Sequence, residues 1–230
     1  MLTGPKFSKG NVVIPKKVEY NGTNYSVTTI GNTAFKNNKD IVSVTGDSIK
    51  KIEDSAFENC SQHNGTLLTN NTGLNNVNFQ NVIFIGSKAF YDDDALINLS
   101  FESATYIGDS AFAKCDCMES LMIPNAAYIG NNAFEECDDL KSITIDNATY
   151  IGSQAFKNAS DLNSHLGVVD AISLVYCDSD IFSELADPIT LQNIPKNMKN
   201  FDWESRKGKT SEQVTINFSD ISIKPAATID

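Results

Sequence analysis

Apolar residues in this chain fall into fixed columns. The element Ile-Gly-x-x-Ala-Phe recurs over Ile30–Phe35, Ile52–Phe57, Ile85–Phe90, Ile107–Phe112, Ile129–Phe134 and Ile151–Phe156, with Glu53 in place of glycine in the second copy. The leading isoleucines stand 22, 33, 22, 22 and 22 residues apart, so the odd interval is one period plus 11 residues. A period of this length predicts a solenoid, in which each unit buries its apolar face only against its neighbours.

Within a unit the pattern predicts two kinds of element. Leu99-Ser100-Phe101 alternates apolar and polar residues, the period of two expected of a short strand with alternate side chains inside. Val77-Asn78-Phe79, Leu121-Met122-Ile123 and Ile143-Thr144-Ile145 repeat it. Stacked one coil apart, these strands are expected to form a parallel sheet along one side. After the glycine column comes a column of Asn32, Asp54, Ser87, Asp109, Asn131 and Ser153. All six residues are of types that cap helix N-termini, which predicts a single helical or 3-10 turn with Ala and Phe pointing inward. Glu53 interrupts the glycine column, so a positive φ is not expected to be mandatory there.

These columns resemble the BspA-like (Treponema pallidum type) leucine-rich repeats, through the IGxxAFxxC element, the strand before it and the 22-residue period. The lead-in from Asn11 to Gly31 resembles the one such proteins carry, and the likeness spans roughly residues 11 to 165. The resemblance implies a right-handed solenoid of the leucine-rich-repeat type, built of short parallel strands and short helical or 3-10 turns, with N- and C-terminal caps. It also implies a bacterial protein of the cell surface, or a secreted one, engaged in adhesion or host interaction. It supplies no catalytic residue.

Three segments are expected. Residues 1–29 read as an N-terminal β-hairpin cap, because Asn21-Gly22 sits between Val18-Glu19-Tyr20 and Tyr25-Ser26-Val27. Residues 30–165 read as the solenoid of six units, with the extra 11 residues forming a polar loop at about 61–73. Residues 166–230 read as a C-terminal cap or a small β-rich module, with strands in Ala171–Cys177 and Val214–Ile223, a helical turn at Phe182–Leu185 and a polar loop around Trp203.

Composition narrows the functions. A net charge of -11 argues against nucleic acid and anionic membrane surfaces, and no apolar run has the length of a membrane span. No signal-peptide pattern is visible at the start of the chain, which leaves the compartment open. Cys60, Cys115 and Cys137 share one column with Asn38, Asp93 and Ala159, a buried turn position for small side chains. Structural thiols are the expectation, with neither a metal site nor a cofactor, since both histidines, His63 and His165, fall outside the regular repeats. The acidic runs Asp92–Asp94, Glu135–Glu136 and Asp138–Asp139 are expected to be solvated turns. No nucleophile elbow, P-loop or HExxH pattern occurs, so a non-enzymatic module is expected.

Two surfaces are candidates for binding. One is the outward strand face, including Asn98, Ser100, Glu102, Met122, Thr144 and Asp146. The other is the residue before each isoleucine, which is Phe84, Tyr106, Tyr128 and Tyr150 in four successive units. Rings one coil apart either offer amphipathic surface to a protein or a glycan, or stack on one another and stiffen the solenoid. The reading is a protein-binding module acting through an extended face. A carbohydrate-binding module using the aromatic column, and a spacer presenting the C-terminal region, are the alternatives.

Overall fold

The computed structural model describes residues 9–62 and 72–159, and beyond them the backbone of four short strands. The loop expected between Gln62 and Thr72, the turn expected at 182–185, Trp203 and both histidines lie outside the described residues.

Strand β1 (Gly10–Val13) is followed by β2 (Lys17–Tyr20) and β3 (Thr23–Ser26), the antiparallel hairpin that Asn21-Gly22 predicts. Both turn residues take positive φ, 50° and 73°, as a two-residue turn matched to strand twist requires. Every residue of β2 and β3 is exposed, while Ile14 and Val27 at the base of the hairpin join the core.

Each coil contributes to two parallel sheets. The first series is β4 (Thr29–Ile30), β6 (Lys51–Ile52), β10 (Phe84–Ile85), β12 (Tyr106–Ile107), β14 (Tyr128–Ile129), β16 (Tyr150–Ile151) and β18 (Tyr176–Cys177), which form one seven-stranded sheet. Its register places like on like, Tyr106 beside Tyr128 and Ile107 beside Ile129. The second series is the predicted strand column: β5 (Ile41–Thr45), β9 (Asn76–Asn78), β11 (Asn98–Ser100), β13 (Ser120–Met122) and β15 (Ser142–Thr144). It divides into β1-β5-β9 and β11-β13-β15, with no ladder between β9 and β11. The inserted segment leaves and re-enters through β7 (Ser61–Gln62) and β8 (Thr72–Gly73), which pair antiparallel as its neck. Farther on, β17 (Val168–Asp170), β19 (Ile189–Pro195) and β20 (Val214–Ser219) pair in parallel, so parallel stacking continues past the last recognisable repeat.

The Ala-Phe segment corrects the sequence expectation, because it forms isolated hydrogen-bonded turns and neither an α-helix nor a 3-10 helix among the described residues. Its amides alternate instead. Ala34, Lys36 and Asn38 donate three residues back within their own coil, whereas Thr33, Phe35 and Asn37 donate to carbonyls of Asp54, Ala56 and Glu58 in the next one. A helix consumes its amides internally and would leave the next coil's carbonyls unmatched. The alternation is accompanied by left-handed backbone at two positions per coil, such as Ser110 (54°) and Lys114 (61°), and none of these residues is glycine.

The column of Asn, Asp and Ser is corrected too. Its carboxamides and carboxylates act between coils: Asp54 Oδ1 accepts from the Ser87 amide at 2.9 Å, Asp109 Oδ1 from Asn131 at 2.8 Å and Asn131 Oδ1 from Ser153 at 2.9 Å. This ladder explains the glycines beside it. A Cβ on Gly130 would lie 2.4 Å from Asp109 Oδ1 and 2.6 Å from its amide nitrogen, so close approach rather than φ demands glycine. At the second coil Glu53 stands in that column, and its carboxylate takes the Asn32 amide at 3.1 Å.

The interior is a stack of matching rings. Phe35, Phe57, Phe90, Phe112, Phe134 and Phe156 follow one another at centroid spacings of 5.1–5.9 Å, with Phe79 and Phe101 tilted against them. The isoleucine and alanine columns fill the remaining space, buried throughout except for the half-buried Ala34 at the first coil.

Two substitutions probe the inter-coil ladder. Asp109→Ala removes one accepted hydrogen bond and is expected to lower the unfolding free energy by about 0.5–1.5 kcal/mol. Gly130→Ala forces the coils apart and is expected to cost more, about 1–3 kcal/mol. Urea unfolding followed by circular dichroism measures both, and the reverse order would show that the glycine is not there for close approach.

Candidate functional site

The outward strand face is built by period-two alternation. Leu99, Leu121 and Ile143 point inward and are buried, so Asn98, Ser100 and Met122 are exposed and Ser120 and Thr144 half-buried on the other side. Met122 is 44% exposed, which makes it a large apolar side chain on an otherwise polar sheet. Ser120 Oγ donates to Asn98 Oδ1 at 2.5 Å, locking neighbouring strands at the surface. A shallow hollow of about 320 Å³ runs across all three strands, lined by Asn98, Ser100, Ser120, Met122, Ser142 and Thr144 together with Leu99 and Leu121.

A second hollow, of about 460 Å³, opens where β9 and β11 fail to pair. Asn78, Gln80, Asn81, Ser100 and Glu102 line it, all with hydrogen-bonding side chains. The structure therefore brings Asn98, Ser100, Glu102, Met122 and Thr144 together along one face. Asp146, exposed in the turn after β15, lines neither hollow. Sequence columns alone do not reveal the break between β9 and β11, because the residues on both sides of it keep the repeat pattern.

On the other sheet the aromatic column forms a stack. Phe84 to Tyr106 is 4.7 Å between centroids, Tyr106 to Tyr128 is 4.8 Å and Tyr128 to Tyr150 is 4.7 Å, with interplanar angles of 2–4°. Lys51 Nζ covers the free face of Phe84 at 4.8 Å from its centroid. The rings are half-buried and cover one another's faces, so they present edges outward. Burial and then the negative charge of Asp109 and Asp54 push the Tyr106 phenol above its ordinary range. Tyr128 is raised by burial and then by Asp109. Backbone register sets Tyr176 beside Tyr150. The Tyr176-Cys177 pair mimics Tyr-Ile but lies 26 residues on rather than 22, which hid it from the repeat count.

The cysteine column is structural in its contacts. Cys60, Cys115 and Cys137 are buried free thiols whose Sγ donates to the carbonyls of Phe35, Phe90 and Phe112 at 2.9–3.0 Å. Burial pushes all three thiols well up, which keeps the donating proton in place.

Asp93 occupies the same column and overturns the expectation that Asp92–Asp94 is a solvated turn. Asp93 and Asp94 are buried. Asp93 Oδ1 accepts from the Cys60 amide at 2.6 Å, while Oδ2 finds no hydrogen-bond partner among the described residues. Burial pushes its carboxyl well above the ordinary range, and Asp92 and Asp94 add to this against the opposing Cys60 amide and Lys39. The site is the base of the insertion neck, where Lys39 Nζ donates to Asn59 Oδ1 and to the Ser61 carbonyl. Other acidic residues pair across coils, Glu135 with Lys157 at 3.3 Å and Glu136 with Lys114 at 3.1 Å.

The sequence matches the family model of the BspA type leucine-rich repeat region in six copies, over residues 15–83 and 83–213. No curated protein shows a significant match. Among solved structures, the fold is similar to the pneumococcal vaccine antigen PcpA, at 20% identity and a TM-score of 0.47, covering 80% of this chain and 40% of that one. It is also similar to a leucine-rich repeat protein from Bacteroides ovatus, at 19% identity and a TM-score of 0.42, covering 92% of this chain and 60% of the other. A leucine-rich cell surface protein from Faecalibacterium prausnitzii shares 17% identity and a TM-score of 0.33, covering 91% of this chain and 69% of the other. The chain thus spans 40% and 60% of the first two structures' lengths.

Asp93→Asn keeps an oxygen for the Cys60 amide and removes the ionisation. A carboxyl whose folded pKa is raised contributes stability below the ordinary carboxylate range and loses it as pH rises through the folded value. The variant is therefore expected to match the parent near pH 4 and to melt about 2–6 °C higher at pH 7. Differential scanning calorimetry across that range is the check, and a gap that shrinks with rising pH would contradict it.

Proposed function

The chain belongs to the BspA-type leucine-rich repeat family, and from that premise we propose that it is a non-enzymatic module, secreted or displayed at a cell surface, that binds a protein ligand through its outward strand face. Met122 carries the reading. It is the exposed apolar residue beside a hollow spanning three strands, ringed by Asn98, Ser100, Ser120 and Thr144, an arrangement of apolar anchor and polar rim suited to a protein contact. The register that aligns these strands gives a partner the same polar spacing on each coil, which supports an extended rather than a point contact. Asp146, exposed in the turn after β15, is included in the proposal as a polar position outside both hollows.

In this proposal residues 1–29 and 166–230 close the two ends of the stack. Ile14 and Val27, buried at the first end, support the former role. Adhesion and host interaction belong to the same proposal. A glycan is the second reading, favoured by the polar hollow of Asn78, Gln80, Asn81, Ser100 and Glu102 rather than by the aromatic column, whose ring faces are covered by one another.

The test is binding of the intact chain to an array of purified extracellular matrix proteins and, in parallel, to a glycan array. Met122→Arg combined with Ser100→Arg is expected to weaken protein binding about tenfold or more while leaving the circular dichroism spectrum unchanged. Signal confined to the glycan array and lost with Gln80→Ala and Glu102→Ala would favour the second reading. No signal on either array, or protein binding indifferent to the double substitution, would remove the strand face from consideration.

A further inference from the structure

The β2–β3 hairpin gives only its base to the first coil. Ile14 and Val27 are buried there, whereas all eight residues of the two strands are exposed, Tyr20 at 68% and Tyr25 at 51%. Among the described residues, β2 and β3 pair with each other alone. A two-stranded ribbon is marginal in water and gains stability as part of a wider sheet.

The base of the ribbon fixes its hydrogen-bonding phase. The Val27 amide donates to the Lys16 carbonyl at 3.0 Å, so these two residues form a bonded pair. In an antiparallel ladder every second pair is bonded. With the observed register, Val18 therefore bonds Tyr25 and Tyr20 bonds Thr23. The amides and carbonyls of Lys17 and Glu19 point away from β3, along the free edge of β2. Side chains alternate as well, so Val18, Tyr20, Thr23 and Tyr25 share one face while Lys17 and Glu19 share the other.

That edge is complementary to itself. Lysine on an open edge ordinarily discourages pairing, but here Lys17 stands two residues from Glu19. A two-fold axis through Val18 sets Lys17 of each copy opposite Glu19 of the other. In that register the outward backbone groups of Lys17 and Glu19 exchange two hydrogen bonds on either side of the axis. Val18 then meets Val18 at the close, non-bonded position. An axis through Glu19 sets like charges together, which opposes pairing. Lys16, the neighbouring charge, is already paired with Asp47 at 3.1 Å. The outer edge of β3 carries no such code, since its outward residues, Asn24 and Ser26, are uncharged.

We propose that the chain self-associates through this edge. Two copies pair β2 antiparallel about the axis at Val18, giving a four-stranded sheet in the order β3-β2-β2-β3. Val18 and Tyr25 of both copies form one row on a single face of it. The strand face of β11, β13 and β15 lies on a different sheet, so the inference does not depend on what binds there.

Sedimentation velocity of the intact chain over a concentration series is the test. A monomer–dimer equilibrium in the micromolar range is expected, as suits a small interface, and added salt is expected to weaken it. Lys17→Glu and Glu19→Lys, each alone, set like charges across the axis and are expected to weaken the dimer about tenfold or more. The double variant Lys17→Glu with Glu19→Lys restores opposite charges and is expected to recover it, as is an equimolar mixture of the two single variants. A hairpin that had merely unfolded is not rescued in this way. Glu19→Pro removes an outward amide while sparing the hairpin's own bonds, and is expected to abolish the dimer. Hydrogen exchange is expected to slow at the Lys17 and Glu19 amides as concentration rises. A monomer at every concentration, a dimer indifferent to both single substitutions, or no recovery in the double variant and the mixture overturns the proposal. Protection of those two amides in a monomer gives the edge to another segment of the same chain and overturns it equally.

Discussion

Every coil of this protein depends on its neighbours to take up its backbone hydrogen bonds, and that constraint organises the rest. Amides leave a coil in both directions along the axis: Gly108 donates back to Ile85, while Phe90 donates forward to Ala111. A coil of the wrong length breaks both sets at once, because an unmatched buried amide or carbonyl costs as much as a lost hydrogen bond. The period is thus a hydrogen-bonding requirement before it is a packing one. Where the chain departs from it by 11 residues, the excess leaves through the β7–β8 neck and the coils above and below still meet: the Phe57 amide reaches the Ala89 carbonyl at 2.8 Å across the interval of 33.

Once coils are held in register, like sits on like and side-chain ladders follow. Phenylalanines stack inside, Phe84 and the tyrosines stack outside, asparagine and aspartate side chains bridge one coil to the next, and Lys-Glu pairs 22 residues apart join neighbouring coils. The exposed ion pairs contribute little individually. The interior ladders contribute more, because each ring removes apolar surface from water as well as stacking. Asp93 is the exception inside. It fills a thiol's position with a carboxyl that meets one amide, and it does so at the coil from which the insertion has just returned.

Much of this was legible in the residue columns. Ile107, Ala111 and Phe112 announced the core, Asn21-Gly22 the hairpin, and Leu99 between Asn98 and Ser100 the strand face. Two features were misread for one reason. The Asn, Asp and Ser column looked like helix capping, and the Ala-Phe segment like a helical turn, because local sequence cannot say whether an amide is satisfied within its own coil or by the next. The acidic run misled similarly. Asp92–Asp94 has the composition of a solvated turn, but its position in the cysteine column carries Asp93 inward whatever its charge prefers.

The sequence by itself determined the repeat, the core columns and the family, since all three are set by which residue recurs at which spacing. The tertiary structure alone decided what the surfaces present. It closed the ring faces of Phe84, Tyr106, Tyr128 and Tyr150 on one another, because a parallel register without offset places each ring directly over the last. It also opened a polar hollow between β9 and β11, where the ladder fails although the columns on either side continue unchanged. Spacing along a chain dictates what is repeated, whereas exposure depends on what lies beside each copy, and that is fixed only when the coils stack.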